Sequence, residues 1–155
     1  MPQQVSPIPA GFHTLTPHIC VDGAAAYSEF LTRAFGAVET GRATGPGGKL
    51  IHVEARIGDS VLMFSDDFSA EFNMPPLATG RFPVHLQVYV PDADATYNQA
   101  VAAGATPMMP MADQFWGDRY GMVRDAHGIV WAIATRKESL TPEQLRERQA
   151  KAFGG

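Results

Sequence analysis

The sequence predicts an α+β protein built from one sheet-forming unit used twice, and three observations carry this. Thr14–Val21, then Asp22, then a helical stretch ending at Phe35-Gly36-Ala37, recurs as Val84–Val90, Asp92 and a helical stretch ending at Ala103-Gly104-Ala105, about 68–69 residues later. Three separate strands place apolar residues on one face and His, Glu, Gln, Arg, Tyr or Thr on the other. Both helical stretches carry an apolar stripe of the kind that packs on a sheet.

The first strand sets Leu15, Ile19 and Val21 on one face and Thr16, His18 and Cys20 on the other. Asp22 is placed to cap the helix that follows, whose stripe is Tyr27, Phe30, Leu31 and Ala34, and Gly36 stops it. A strand over Val38–Thr44 runs into the turn Gly45-Pro46-Gly47-Gly48. Lys49–Ile57 then alternates, with Ile51, Val53, Ala55 and Ile57 opposite His52, Glu54 and Arg56. Gly58-Asp59 signals a hairpin into Ser60–Ser65. The second copy opens with Leu86, Val88 and Val90 opposite His85, Gln87 and Tyr89. Asp92 caps its helix, with Ala93, Tyr97, Ala100 and Val101 inward. Thr106–Met111, Arg119–Arg124 and Ile129–Thr135 are the remaining strands. Thr141, Pro142 and Gln144 spell a capping box with proline in the first turn, and a mostly polar helix follows.

Residues 1–12 read as an extended arm, 13–137 as a single domain and 138–155 as a helical tail. Within the domain, module one spans 13–66, a connector 67–82 and module two 83–137. A net charge of −4 speaks against a nucleic-acid partner, and no apolar run is long enough for a membrane span. The single cysteine, Cys20, excludes an internal disulfide framework, and the N-terminus lacks the pattern of a signal peptide. A cytoplasmic protein with a small-molecule ligand is expected. The polar strand faces are either the inner wall of a cup or a plain solvated surface.

At Phe115-Trp116-Gly117-Asp118-Arg119-Tyr120-Gly121, followed by Arg124-Asp125 and Gly128-Ile129-Val130-Trp131, the chain resembles the vicinal oxygen chelate superfamily. That superfamily includes glyoxalase I, bleomycin-resistance proteins and extradiol dioxygenases, and within it the chain looks like the PhnB-like branch. Phe35-Gly36-Ala37, His52, Arg56–Met63 and Pro91-Asp92-Ala93-Asp94 extend the resemblance from about Thr14 to Lys137. It implies two βαβββ modules whose eight strands form a cup (the glyoxalase/bleomycin-resistance/dioxygenase fold), and a homodimer.

Metal-dependent members of the superfamily hold a divalent ion with His, Gln or Glu from the first and last strands of each module. The resemblance puts Thr16, Met63, His85 and Ala132 at those positions. Alanine offers no ligand, methionine suits soft metals, and threonine is a poor neutral ligand. No metal and no cofactor are therefore expected, although His52 and Glu54, two residues apart on one face, could join His85 in a substitute site. Asp125-Ala126-His127-Gly128-Ile129 also departs from the superfamily's frequent Asp-Pro-x-Gly-His.

The candidate catalytic residues are His85, His52 and Glu54, since a histidine near a carboxylate is a potential general base. Thr16, His18, Met63, Gln87, Phe115, Trp116, Arg119 and Tyr120 are candidate substrate-binding residues. The aromatic residues form either a ligand-stacking mouth or a cluster that fixes their loop. Asp118-Arg119 reads either as an internal ion pair or as an anion-binding arginine, and Trp131 as core. Two function classes follow. One is an enzyme, a lyase, isomerase or dioxygenase, on a small oxygenated metabolite. The other is a binding protein that sequesters a drug-like ligand. A metal-dependent lyase or dioxygenase built on His85, His52 and Glu54 is a third reading.

Overall fold

The computed structural model describes residues 6–71 and 84–154, in two compact units that divide between residues 78 and 79. The first unit runs β1 (His18–Val21), α1 (Ala24–Phe35), β2 (Val38–Thr44), β3 (Leu50–Ile57) and β4 (Ser60–Asp66). The second runs β5 (His85–Tyr89), α2 (Ala93–Ala102), β6 (Thr106–Asp113), β7 (Asp118–Arg124), β8 (Val130–Arg136) and α3 (Pro142–Phe153). Each unit is thus a βαβββ module around a four-stranded mixed sheet. The strand orders are β1-β4-β3-β2 and β5-β8-β7-β6, with the first pair parallel and the others antiparallel. The α+β class and the C-terminal helix expected from sequence are both present.

Helices α1 and α2 each cover one face of their own sheet. In the first unit Tyr27, Leu31 and Ala34 of α1 are buried with Val21, Val53, Ala55, Leu62 and Phe64, and the Tyr27 and Phe64 rings meet edge-on at 5.3 Å. In the second unit Ala93 and Ala100 of α2 are buried with Val123, Trp131 and Ile133. Trp131 is core as expected, and its indole N–H donates to Asp125 (3.0 Å). The helix stripes and the alternation in β3 and β5 therefore fix the face that each strand presents.

The first strand departs from expectation. It starts at His18, because Pro17 has no N–H to add to a ladder, and Leu15 is 86% exposed. The cap of α1 departs too. Gly23 is the N-cap and no side chain of its own segment caps the helix. Asp66, at the end of β4, accepts from the N–H groups of Gly23 (3.0 Å) and Ala24 (2.7 Å) instead. Asp92 caps α2 as expected, accepting from Ala95 N–H at 3.0 Å. The Thr141–Gln144 capping box of α3 is complete. Of the connector expected over 67–82, residues 72–82 lie outside the described residues. No helix among the described residues is long and apolar enough to cross a membrane.

Candidate functional site

The sheet face opposite each helix collects the polar residues. In the first unit the register aligns His18 with Met63, Met63 with Glu54 and Glu54 with Gly41, one row across four strands. His52 Nε2 lies 3.1 Å from Glu54 Oε1, and the His18 and His52 rings sit 6.0 Å apart, tilted by 59°. This brings His18, His52, Glu54 and Met63 together. Burial lowers the pKa of His18 from its ordinary value, and the neighbouring His52 lowers it further. At neutral pH His18 is therefore an uncharged imidazole, able to accept a proton. Thr16 precedes β1 and is half-buried. Cys20 is exposed and its Sγ lies 3.8 Å from Ser65 Oγ.

In the second unit the corresponding row is Gln87, Ala132, Met122 and Met109, and the next is Tyr89, Ala134, Tyr120 and Ala112. His85, at the start of β5, and Gln87 are exposed. Beside them the loop into β7 builds an aromatic group. Trp116 meets Tyr120 edge-on at 5.3 Å and Phe115 edge-on at 5.0 Å. Phe115 in turn meets Phe153 of α3 at 5.5 Å. The loop glycine has a local reason: Gly117 has φ +98° and a Cβ there would lie 3.0 Å from the Glu138 carbonyl. Gly121 leaves no room either, since a Cβ would meet Met111 Sδ at 2.5 Å.

Sequence reasoning missed the residue that organises this group. Asp118 is only 5% exposed, and its Oδ2 accepts from Tyr89 O–H (3.1 Å) and from Trp116 Nε1–H (3.1 Å). Burial, and then the Asp118 carboxylate, raise the pKa of the Tyr89 hydroxyl, so it remains a donor at neutral pH. The alternation of β5 placed Tyr89 beside Gln87, but nothing local in the sequence pairs it with Asp118, 29 positions away.

Arg119 stands apart from the other candidates. It points to the helix face, where its guanidinium grips Asp94 of α2 through two bonds of 2.9 Å and reaches Asp113 at 3.4 Å. Asp118 and Arg119 therefore serve opposite faces and form no ion pair with each other.

Metal chemistry can be tested against the donor set. At the positions that the family resemblance assigns, Thr16 gives a neutral hydroxyl, Met63 a thioether, Ala132 a fully buried methyl and His85 one imidazole. This set does not fit a zinc, nickel or iron ion. Among the described residues, no group of three or more His, Cys, Asp or Glu is placed to hold a metal ion.

Comparison with known proteins agrees with the fold. Residues 11–133 match the family model described as Glyoxalase/Bleomycin resistance protein/Dioxygenase superfamily. An uncharacterized protein of Mycobacterium bovis is 39% identical over 144 residues, which cover 91% of this chain and 95% of that one. Among solved structures, TioX from Micromonospora sp. ML1 aligns with a TM-score of 0.60 at 24% identity, over 80% of this chain and 98% of its own. The PhnB protein of Bacillus cereus aligns with a TM-score of 0.63 at 16% identity, over 79% and 99%. At such identities the structural likeness is one of fold. The match of the family model over most of the sequence, together with two βαβββ modules, makes this chain a member of the glyoxalase/bleomycin resistance protein/dioxygenase superfamily.

Proposed function

We propose that this protein is a PhnB-like member of its superfamily that acts on a small oxygenated metabolite without the superfamily's usual metal site. The observation that carries the reading is the His18–His52–Glu54 group on the face opposite α1. Glu54 holds His52 from one side, and partial desolvation, with His52 beside it, lowers the pKa of His18, which is otherwise exposed. An uncharged imidazole beside a carboxylate-held partner is suited to taking a proton from a carbon or oxygen acid. Thr16 and Met63 would contact the substrate on that face of the first unit, and His85 and Gln87 are proposed as ligand contacts on the second unit's own polar face. The protein is proposed to work in the cytoplasm as a homodimer.

A second reading is favoured by the aromatic group. Trp116 and Tyr120 offer ring surface that needs no catalyst, as suits a protein that sequesters a flat, drug-like molecule. A thermal-shift screen of small oxygenated metabolites and planar antibiotics, with and without divalent metals, separates the readings. A site ligand present at a hundredfold excess over its Kd stabilises the fold by about 2.7 kcal/mol. The enzyme reading predicts turnover of a hit that falls about 10²-fold or more in His18→Gln and His52→Gln with binding kept. Sequestration predicts binding that Trp116→Ala weakens, with no turnover. A hit that none of these substitutions affects would put the site elsewhere.

A further inference from the structure

Arg56 follows Glu54 by two residues on β3 and is exposed on the same face. The register sets it in a row between Val61 of β4 and Val38 of β2. That row adjoins the one of His18, Met63, Glu54 and Gly41. Beyond Val61 the row reaches Thr16, two residues before His18 as Val61 is two before Met63. The neighbours of Arg56 across the sheet are thus aliphatic, and Glu54 is turned to His52 at 3.1 Å. Among the described residues Arg56 enters no ion pair. The arginines of the helix faces differ: Arg42 grips Glu39 through bonds of 2.6 and 2.8 Å, and Arg119 grips Asp94. The equivalent place in the second unit also holds an arginine. Arg124 lies between Val130 and Thr106, with His85 where the first unit has Thr16. It too is exposed and, among the described residues, in no ion pair. The next row has diverged, with Met122 in place of Glu54 and Ala132 in place of Met63. Both units therefore carry the cation, and the first sets it beside an acid–base group.

We infer that Arg56 is the anion anchor of the first-unit face, and that the ligand class there is a small 2-hydroxy or 2-oxo carboxylate. A guanidinium presents paired N–H donors that match the two oxygens of a carboxylate. The rows of Arg56 and of Glu54 lie about 6–7 Å apart along β3. A carboxylate held by Arg56 would therefore bring the oxygen on its neighbouring carbon towards His18 and His52. This inference rests on the proposed reading of that face and names the substrate class that the reading leaves open.

The probes are lactate and mandelate, each set against its methyl ester, which keeps the hydroxyl and loses the charge. Binding to the full-length chain is followed by NMR through the His18 and His52 imidazole signals, assigned with His18→Gln and His52→Gln. The wild type should bind each acid about three- to tenfold more tightly than its ester, a modest ratio because Arg56 is exposed. Added salt should reduce that preference. Arg56→Gln should bring the ratio to near one, and Arg56→Lys, which keeps the charge and loses the fork, should give an intermediate ratio. Arg124→Gln should leave the ratio read at His18 and His52 unchanged. If acid and ester both move the imidazole signals and the wild type shows no preference, or Arg56→Gln keeps it, the anchor is wrong while the face remains a ligand site. If neither acid moves either signal, the acid class is wrong and the inference falls. Turnover of a neutral compound that His18→Gln abolishes would then keep the proposed activity without it.

Discussion

Asp66 accepts from three backbone N–H groups, those of Gly23, Ala24 and Leu50, and so ties the start of α1 to the start of β3. Burial pulls its carboxyl upward, and the three donors more than offset this, leaving its pKa below the ordinary 3.8. A depressed carboxyl adds stability that is present above that ordinary value and lost as pH falls through the lower folded one. Asp66→Asn should cost about 1–3 kcal/mol in urea unfolding at neutral pH, and should flatten the acid side of the stability curve. An unchanged urea midpoint would show that the three bonds are worth little. His18 has the same sign for a different reason. Its pKa is lowered from 6.5 by burial and by His52, so protonation is resisted by the folded state, and stability falls as pH drops below that value. Imidazole NMR should place the His18 midpoint below 6.5, and His52→Gln should move it upward; a midpoint at or above the ordinary value would remove the case for a neutral base. Neither Asp66 nor Asp118 could be read from sequence as what it is, because each has a partner far along the chain, Gly23 and Ala24 for Asp66 and Tyr89 for Asp118. His52 and Glu54 could, because two residues on one strand share a face by period alone.

At the scale of elements, what was legible was local. The capping box at Thr141, the Asp92 cap and the stripe of α1 all rest on spacings of three or four residues, and all are present. The cap of α1 was misread because the sequence offers Asp22 beside it while the structure supplies Asp66 from β4. Helix α3 has no buried residue. It is held to the rest of its unit by the Phe115–Phe153 ring pair and the Glu138–Arg148 ion pair. Thr141→Ala should fray α3 by about 0.5–2 kcal/mol of helix stability, visible as faster amide exchange there, with the thermal midpoint of the domain unmoved. A drop in that midpoint would mean that α3 covers core. Gly117→Ala is expected to destabilise the unit itself. It needs a left-handed backbone and meets the Glu138 carbonyl, so it should cost about 1–3 kcal/mol and shift the Trp116 environment. Unchanged Trp116 fluorescence in that variant would contradict the account of the loop.

For the whole molecule, the repeat read from sequence is the fold, since one βαβββ module occurs twice with the same strand order. The repeat also explains why the metal positions could be compared across modules, where Met63 and Ala132 hold equivalent places on β4 and β8. Function was less legible, because a polar strand face looks the same whether it meets water or a ligand. Each sheet ends in edge strands, and Val38 on β2 and Met108 on β6 are exposed there, which suits association with a second chain. Light scattering at micromolar concentration should give twice the chain mass of 16.7 kDa; the mass of one chain would contradict a dimer. The central claim is that this chain binds and acts through its own side chains, with no divalent ion at the superfamily's ligand positions. Elemental analysis of untagged, undialysed protein tests it most directly. Zinc, nickel, manganese and iron should all be far below one per chain, whereas any one of them at one per chain would contradict the account.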